Sequence, residues 1–124
     1  MLGDNDAIAT VPVTDVAAAR KFYESKLGLK AEPSDEADVA VCKSGKSVLF
    51  IYKSQFAGTN KATTVTWPVD DVKGEVKALK SKGIAFEHYD FPGTVIEDDV
   101  HVFGNTKAAW FKDPDGNILA LVSH

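Results

Sequence analysis

Val11-Pro12-Val13-Thr14-Asp15-Val16 returns in the chain as Thr66-Trp67-Pro68-Val69-Asp70-Asp71-Val72, with Pro12/Pro68, Val13/Val69, Asp15/Asp71 and Val16/Val72 each 56 positions apart. Four matches at one spacing define a register, so the chain reads as two copies of one unit. Each copy runs from a short apolar strand into an aspartate that can accept hydrogen bonds from the unpaired amides of a helix's first turn. In the first helix Val16, Ala19, Phe22, Tyr23 and Leu27 form one face, and in the second Val72, Val76 and Leu79 do so. Each helix should stop on a glycine able to take the left-handed C-cap conformation, Gly28 and Gly83. A short strand follows in each, Gly28–Glu32 and Gly83–Glu87.

Outward from that pattern, Val39–Cys42, Val48–Tyr52, a segment near Lys107–Lys112 and Asn117–Val122 read as strands. The last two are joined by the turn Asp113-Pro114-Asp115-Gly116. Each repeat thus receives four strands and one helix, an α+β class built from two tandem βαβββ modules, about 7–54 and 62–123. One helix covers only one face of its sheet, so the other face of each sheet must meet something else.

A chain of 124 residues at 44% hydrophobic fits a single domain, 1–124. No stretch approaches the 18–20 apolar residues of a membrane span, and Met1–Asp6 lacks the basic and apolar regions of a signal peptide, so a cytoplasmic protein without membrane partners is expected. The lone thiol, Cys42, excludes an internal disulfide and sits in a strand pattern where a cysteine serves as a small hydrophobe. A net charge of −4, with its fourteen cations spread along the chain, argues against nucleic acid as a partner.

With these pieces placed, the sequence resembles the vicinal oxygen chelate superfamily, which includes glyoxalase I, bleomycin-resistance proteins, metal-dependent fosfomycin-resistance enzymes and extradiol dioxygenases. The resemblance rests on Val13–Tyr23, on Leu27-Gly28-Leu29 and above all on Ala109–Asn117, similar to that family's last hairpin. It implies paired modules forming a curved mixed sheet around a cleft, with the helices on the outer face. It does not fix the chemistry, because one fold carries many functions. The open cleft of so short a chain, together with the resemblance, also predicts a homodimer.

The resemblance further implies four strand positions for divalent-metal ligands, two per module. Counted from Val13, Val69 and Gly116, and placed on the strand Val48–Ile51, they fall on Ile8, Thr64, Ala120 and Phe50. None of these is a usual ligand, and the neighbours Ala9, Leu49, Ile51, Val65, Leu119 and Leu121 are apolar, so no shift of one residue restores a set. No metal and no cofactor are therefore expected.

Glu97, Asp98, Asp99 and His101, with His88 shortly before them, are the one substitute donor group. Following Pro92-Gly93-Thr94, this stretch reads as a solvated acidic loop. His88, Glu97 and His101 are the candidates for acid–base catalysis, and His124 is simply terminal. By period-two alternation, Thr10, Phe50, Tyr52, Thr64, Thr66, Ala120 and Val122 should line the cleft, with Trp110 from the neighbouring strand. That lining suits a small, partly apolar or aromatic ligand held without a metal. One alternative is a glyoxalase-like lyase or isomerase, or a dioxygenase, with a displaced metal site or metal-free acid–base chemistry. The other is a regulatory or interaction module with a closed cleft.

Overall fold

Both helices begin on an aspartate. In the computed structural model, which describes residues 1–123, Asp15 Oδ1 accepts from the Ala18 amide at 3.1 Å and Asp71 Oδ1 from the Gly74 amide at 3.0 Å. These bonds start α1 (Val16–Ser25) and α2 (Val72–Ser81). The helices end as expected too: Gly28 and Gly83 take φ of 77° and 89°, left-handed backbone that glycine adopts without the steric cost of a Cβ. His124 lies outside the described residues.

The first compact unit, Met1–Thr59, holds a 3₁₀ turn (Leu2–Asp4), β1 (Ala9–Val13), α1, β2 (Lys30–Ala31), β3 (Val39–Ser44) and β4 (Ser47–Lys53). Its sheet runs β1-β4-β3-β2, with β1 parallel to β4 and the other pairs antiparallel. A parallel pair needs a long crossover, and the crossover here carries α1. β2 is shorter than Gly28–Glu32 suggested. The Glu32 amide still reaches the Val41 carbonyl at 2.8 Å, but Pro33 has no N–H with which to continue.

The second unit, Asn60–His124, repeats this plan with additions: β5 (Thr63–Pro68), α2, β6 (Phe86–Glu87), β7 (Val95–Glu97), β8 (Val100–Phe103), β9 (Thr106–Lys112) and β10 (Ile118–Ser123). β5 is parallel to β10, and the sheet continues through β9, β8 and β7. The expectation of four strands per repeat is corrected here, since the described residues form six. The cause is a hairpin whose turn residues, Asp98 and Asp99, both have positive φ, 50° and 70°. Positive φ at both central residues marks the turn type whose twist suits a two-residue hairpin, though it usually carries Asn-Gly. The edge of β9 is consequently shared: β6 pairs with Trp110 and Phe111, and β8 with residues from Thr106 to Ala108.

Each helix buries its apolar stripe against one face of its own sheet. Val16, Ala19 and Tyr23 are buried with Val11, Val13, Ala40, Cys42, Leu49 and Ile51 in the first unit. Val72, Val76 and Leu79 are buried with Val65, Ala109, Phe111, Leu119 and Leu121 in the second. Phe22 and Leu27, expected on the first stripe, are only half-buried, and Leu27 lies past the helix's last residue, Ser25. At about 1.5–3 kcal/mol per fully buried large aliphatic side chain, these stripes are the main stabilising term.

The β9–β10 turn is organised by one carboxylate. Asp113 Oδ1 accepts from the Asp115 and Asn117 amides at 2.9 Å each, and Oδ2 accepts from Asn117 Nδ2 at 2.8 Å. Both side chains are buried. Gly116, at φ 91°, donates to the Asp113 carbonyl and closes the turn. Asp113→Ala strands three donors, so a loss of about 3 kcal/mol in urea unfolding is expected. Asp35→Ala, at an exposed site, should stay within about 0.5 kcal/mol.

Candidate functional site

With one face of each sheet taken by a helix, the opposite face carries the candidate site residues. In the first unit Thr10 pairs with Phe50 and Pro12 with Tyr52, so these four point the same way. Thr10 is exposed and the two aromatic residues are half-buried. The rings of Phe50 and Tyr52, two residues apart along β4, stack with centroids 6.4 Å apart.

In the second unit Thr66, Ala120 and Trp110 form one cross-strand row, and Pro68, Val122 and Ala108 form the next. Thr66 is exposed and Trp110 and Val122 are half-buried, whereas Ala120, beside the indole, is buried. Thr64 has no partner in the ladder: Thr63 pairs with Ile118 and Val65 with Leu119, leaving Thr64 as the extra residue of a bulge. Thr63, which alternation did not single out, accepts a hydrogen bond from Trp110 Nε1 at 3.2 Å.

His101 corrects the reading of Glu97–His101 as a solvated loop. It stands in β8 opposite Ala108, on the Trp110 face, and is 0% exposed. Its ring meets Trp110 edge-on at 4.9 Å. Tyr89 and Phe91 complete a cluster, at 5.5 and 5.6 Å from the indole, and His88 adjoins His101 at 6.2 Å. The run Phe86-Glu87-His88-Tyr89-Asp90-Phe91 carried an aromatic signal, but no periodicity tied it to Trp110.

The Tyr89 amide donates to His101 Nε2 at 2.9 Å. That nitrogen must therefore offer a lone pair, which puts the proton of the neutral ring on Nδ1. Nδ1 and the Tyr89 hydroxyl are both buried with no hydrogen-bond partner among the described residues. Burial holds the His101 pKa below its ordinary value, and the backbones of Tyr89 and then Ala108 oppose this without reversing it. Burial likewise raises the Tyr89 phenol, so it remains a protonated donor at neutral pH.

Asp99 is the electrostatic centre beside this cluster. Its Oδ2 takes the Lys80 ammonium at 2.5 Å and its Oδ1 faces His88 Nε2 at 2.6 Å. Lys80 first, then His88, holds the carboxyl below its usual pKa. Glu97 stays outside this group, exposed and 3.7 Å from Lys73. A surface hollow of about 370 Å³ beside α2, lined by Lys73, Lys77, Lys80 and Asp98 over Val76, lacks the aromatic character of the Trp110 face.

The four positions that the resemblance assigns to metal ligands do not fit a divalent ion. Ile8 is exposed ahead of β1, Phe50 presents a ring, Thr64 offers one neutral hydroxyl in a bulge, and Ala120 is a buried methyl. Such a set strips water from a dication without supplying imidazole or carboxylate. Among the described residues no three His, Cys, Asp or Glu side chains are grouped so as to hold a metal elsewhere.

Residues 7–121 match the Glyoxalase/Bleomycin resistance protein/Dioxygenase superfamily. The chain belongs to this family. Among solved structures, it is similar to a glyoxalase family protein from Enterococcus faecalis, with 22% identity and a TM-score of 0.73 over 98% of this chain and 99% of that one. The genomically encoded fosfomycin resistance protein FosX from Listeria monocytogenes gives 12% identity and 0.72 over 97% and 93%. Lactoylglutathione lyase from Agrobacterium tumefaciens gives 20% identity and 0.66 over 96% and 94%. At these identities the likeness is one of superfamily fold. No curated protein matches the sequence. No helix among the described residues is long and apolar enough to cross a membrane.

The neutral His101 of this superfamily member sets a pH dependence. The folded state keeps the ring unprotonated where the unfolded chain, at the ordinary 6.5, takes up a proton. Stability from this residue is therefore complete above about pH 6.5 and falls as pH drops toward the lowered folded value, by at most about 1.4 kcal/mol per pH unit. Urea unfolding between pH 7.5 and pH 5 should show this slope, and His101→Gln, which keeps an acceptor for the Tyr89 amide, should flatten it.

Proposed function

We propose that this superfamily member binds a small, partly apolar or aromatic organic molecule without a metal ion, by stacking and burial in the manner of a sequestering resistance protein. The observation that carries the reading is the ring cluster of Tyr89, Phe91, His101 and Trp110 on the open face of the second sheet. It stands in a chain whose family ligand positions hold no adequate donors. Three of these rings, Tyr89, Phe91 and Trp110, are at least partly exposed over the buried His101, and with Thr63 and Thr66 as flanking hydrogen-bonding groups they suit an aromatic ligand. Phe50, Tyr52 and Thr10 offer a second, smaller surface of the same kind on the first sheet.

A thermal-shift screen with a library of aromatic compounds tests the proposal, since a ligand of the native state raises the melting temperature. Trp110→Ala and Phe50→Ala are expected to weaken a ligand found this way by about 1–3 kcal/mol where its ring stacks on theirs. Ni²⁺, Zn²⁺, Mn²⁺ and Fe²⁺ are expected to give no stabilisation. About one metal retained per chain after dialysis would count against the metal-free reading. The proposal includes a homodimer, and light scattering that gives a monomer at micromolar concentration would remove that part.

A second reading has one specific observation behind it, the 2.6 Å contact of Asp99 with His88. A carboxylate on Nε2 fixes the imidazole tautomer and leaves Nδ1 as a base. This would suit metal-free proton transfer at a carbon beside a carbonyl. Exchange of deuterium into an α-hydroxyaldehyde in the presence of a chelator, lost in Asp99→Asn, would move this reading to first place.

A further inference from the structure

Of the rings packed on Trp110, His101 is buried and fixed in β8, and Tyr89 is half-buried with its amide bound to His101. Phe91 differs. It is 44% exposed and belongs to no strand. It opens a tight turn, Phe91-Pro92-Gly93-Thr94, in which the Thr94 amide donates to the Phe91 carbonyl at 3.2 Å and Gly93 has φ of 77°. The positive φ at the third position favours glycine, and proline commonly stands second in such a turn. The turn closes through the backbone, so the Phe91 side chain can swing about χ1 without breaking it.

Two buried polar atoms in the same cluster make no hydrogen bond among the described residues, Tyr89 Oη and His101 Nδ1, the second with only the Ala108 backbone facing its ring. Their rings are both within 6.2 Å of the Phe91 ring. A buried polar group left unpaired is costly, and native structures keep few of them. A phenylalanine supplies the cluster with area but offers neither atom an acceptor.

We propose that Phe91 is a built-in stand-in for the ligand: its ring plugs a box formed by Tyr89, His101 and Trp110, and the true occupant is an aromatic ring bearing an oxygen acceptor, of the phenol class. The occupant displaces the Phe91 ring outward, stacks against the indole and accepts from the Tyr89 hydroxyl or from His101 Nδ1–H. This deepens the proposed function and rests on it, adding the location of the ring and the polar group it must carry. The plug also sets apparent affinity, because a ligand that binds only the open state has its affinity multiplied by the fraction of molecules that are open.

Phenol and toluene, nearly equal in size and differing in the oxygen, are the probes. They are titrated into the full chain while the Trp110 indole resonance is followed by NMR. Phe91→Ala is expected to bind phenol about tenfold more tightly than the wild type, and to prefer phenol over toluene. Tyr89→Phe in that background should lower phenol affinity about threefold to tenfold while leaving toluene unchanged, as expected for one lost hydrogen bond. Phe91→Ala binding phenol no better than the wild type, with an unchanged melting profile, would overturn the plug. Equal affinity for phenol and toluene in Phe91→Ala would overturn the oxygen-acceptor assignment. A ligand from the thermal-shift screen that perturbs Phe50 and Tyr52 but leaves the Trp110 indole unmoved would overturn the box while leaving the proposed function standing.

Discussion

A sheet has two faces, and each unit of this protein owns one helix. That constraint orders the rest. Burial against the helix claims every second residue of the central strands, and Val11, Val13, Leu49 and Ile51, like Val65, Leu119 and Leu121, are apolar for that reason. The intervening residues are released from packing on the helix. They include Thr10, Phe50 and Tyr52 in one unit and Thr66, Trp110 and Val122 in the other. Chemistry that differs among members of one fold family collects on such a face, because side chains there change without disturbing the helix stripe.

The parts legible in the sequence are those fixed by contacts a few residues long. The caps at Asp15 and Asp71 act on amides three residues ahead, and the Asp113–Asn117 turn is closed within five residues. Their residue types announce their geometry. The β7–β8 hairpin was not legible because its turn carries Asp98-Asp99 in place of a glycine-containing pair. Both residues hold left-handed backbone, with Asp99 tied to Lys80, nineteen residues away, and to His88. Acidic residues written in a row suggested solvent, and only the folded sheet turns His101 away from it.

The site divides along the same line. That Ile8, Phe50, Thr64 and Ala120 cannot serve a dication follows from side-chain chemistry at counted positions, so sequence sufficed. What occupies the open face in their place depends on which strand borders β9, a non-local matter. Trp110 was placed on that face by alternation, but its neighbours Tyr89 and Phe91 arrive from a segment with no regular period. The bulge at Thr64 was equally hidden, since a single skipped residue leaves no mark in composition, yet it brings Thr63 into reach of the indole.

The edge of β9 is spliced from two short pieces, β6 at one end and the β7–β8 hairpin at the other. The chain between them, from His88 to Thr94, contributes no strand to the sheet. The register of β9 with β10 and of β10 with β5 is set without it, by ladders that lie on the other side of β9. Exchanges beyond Tyr89, from Asp90 to Thr94, therefore leave those ladders in place while they remodel what faces Trp110. The molecule separates the part that must be conserved for folding from the part that is free to diversify, and the boundary runs along a single strand edge.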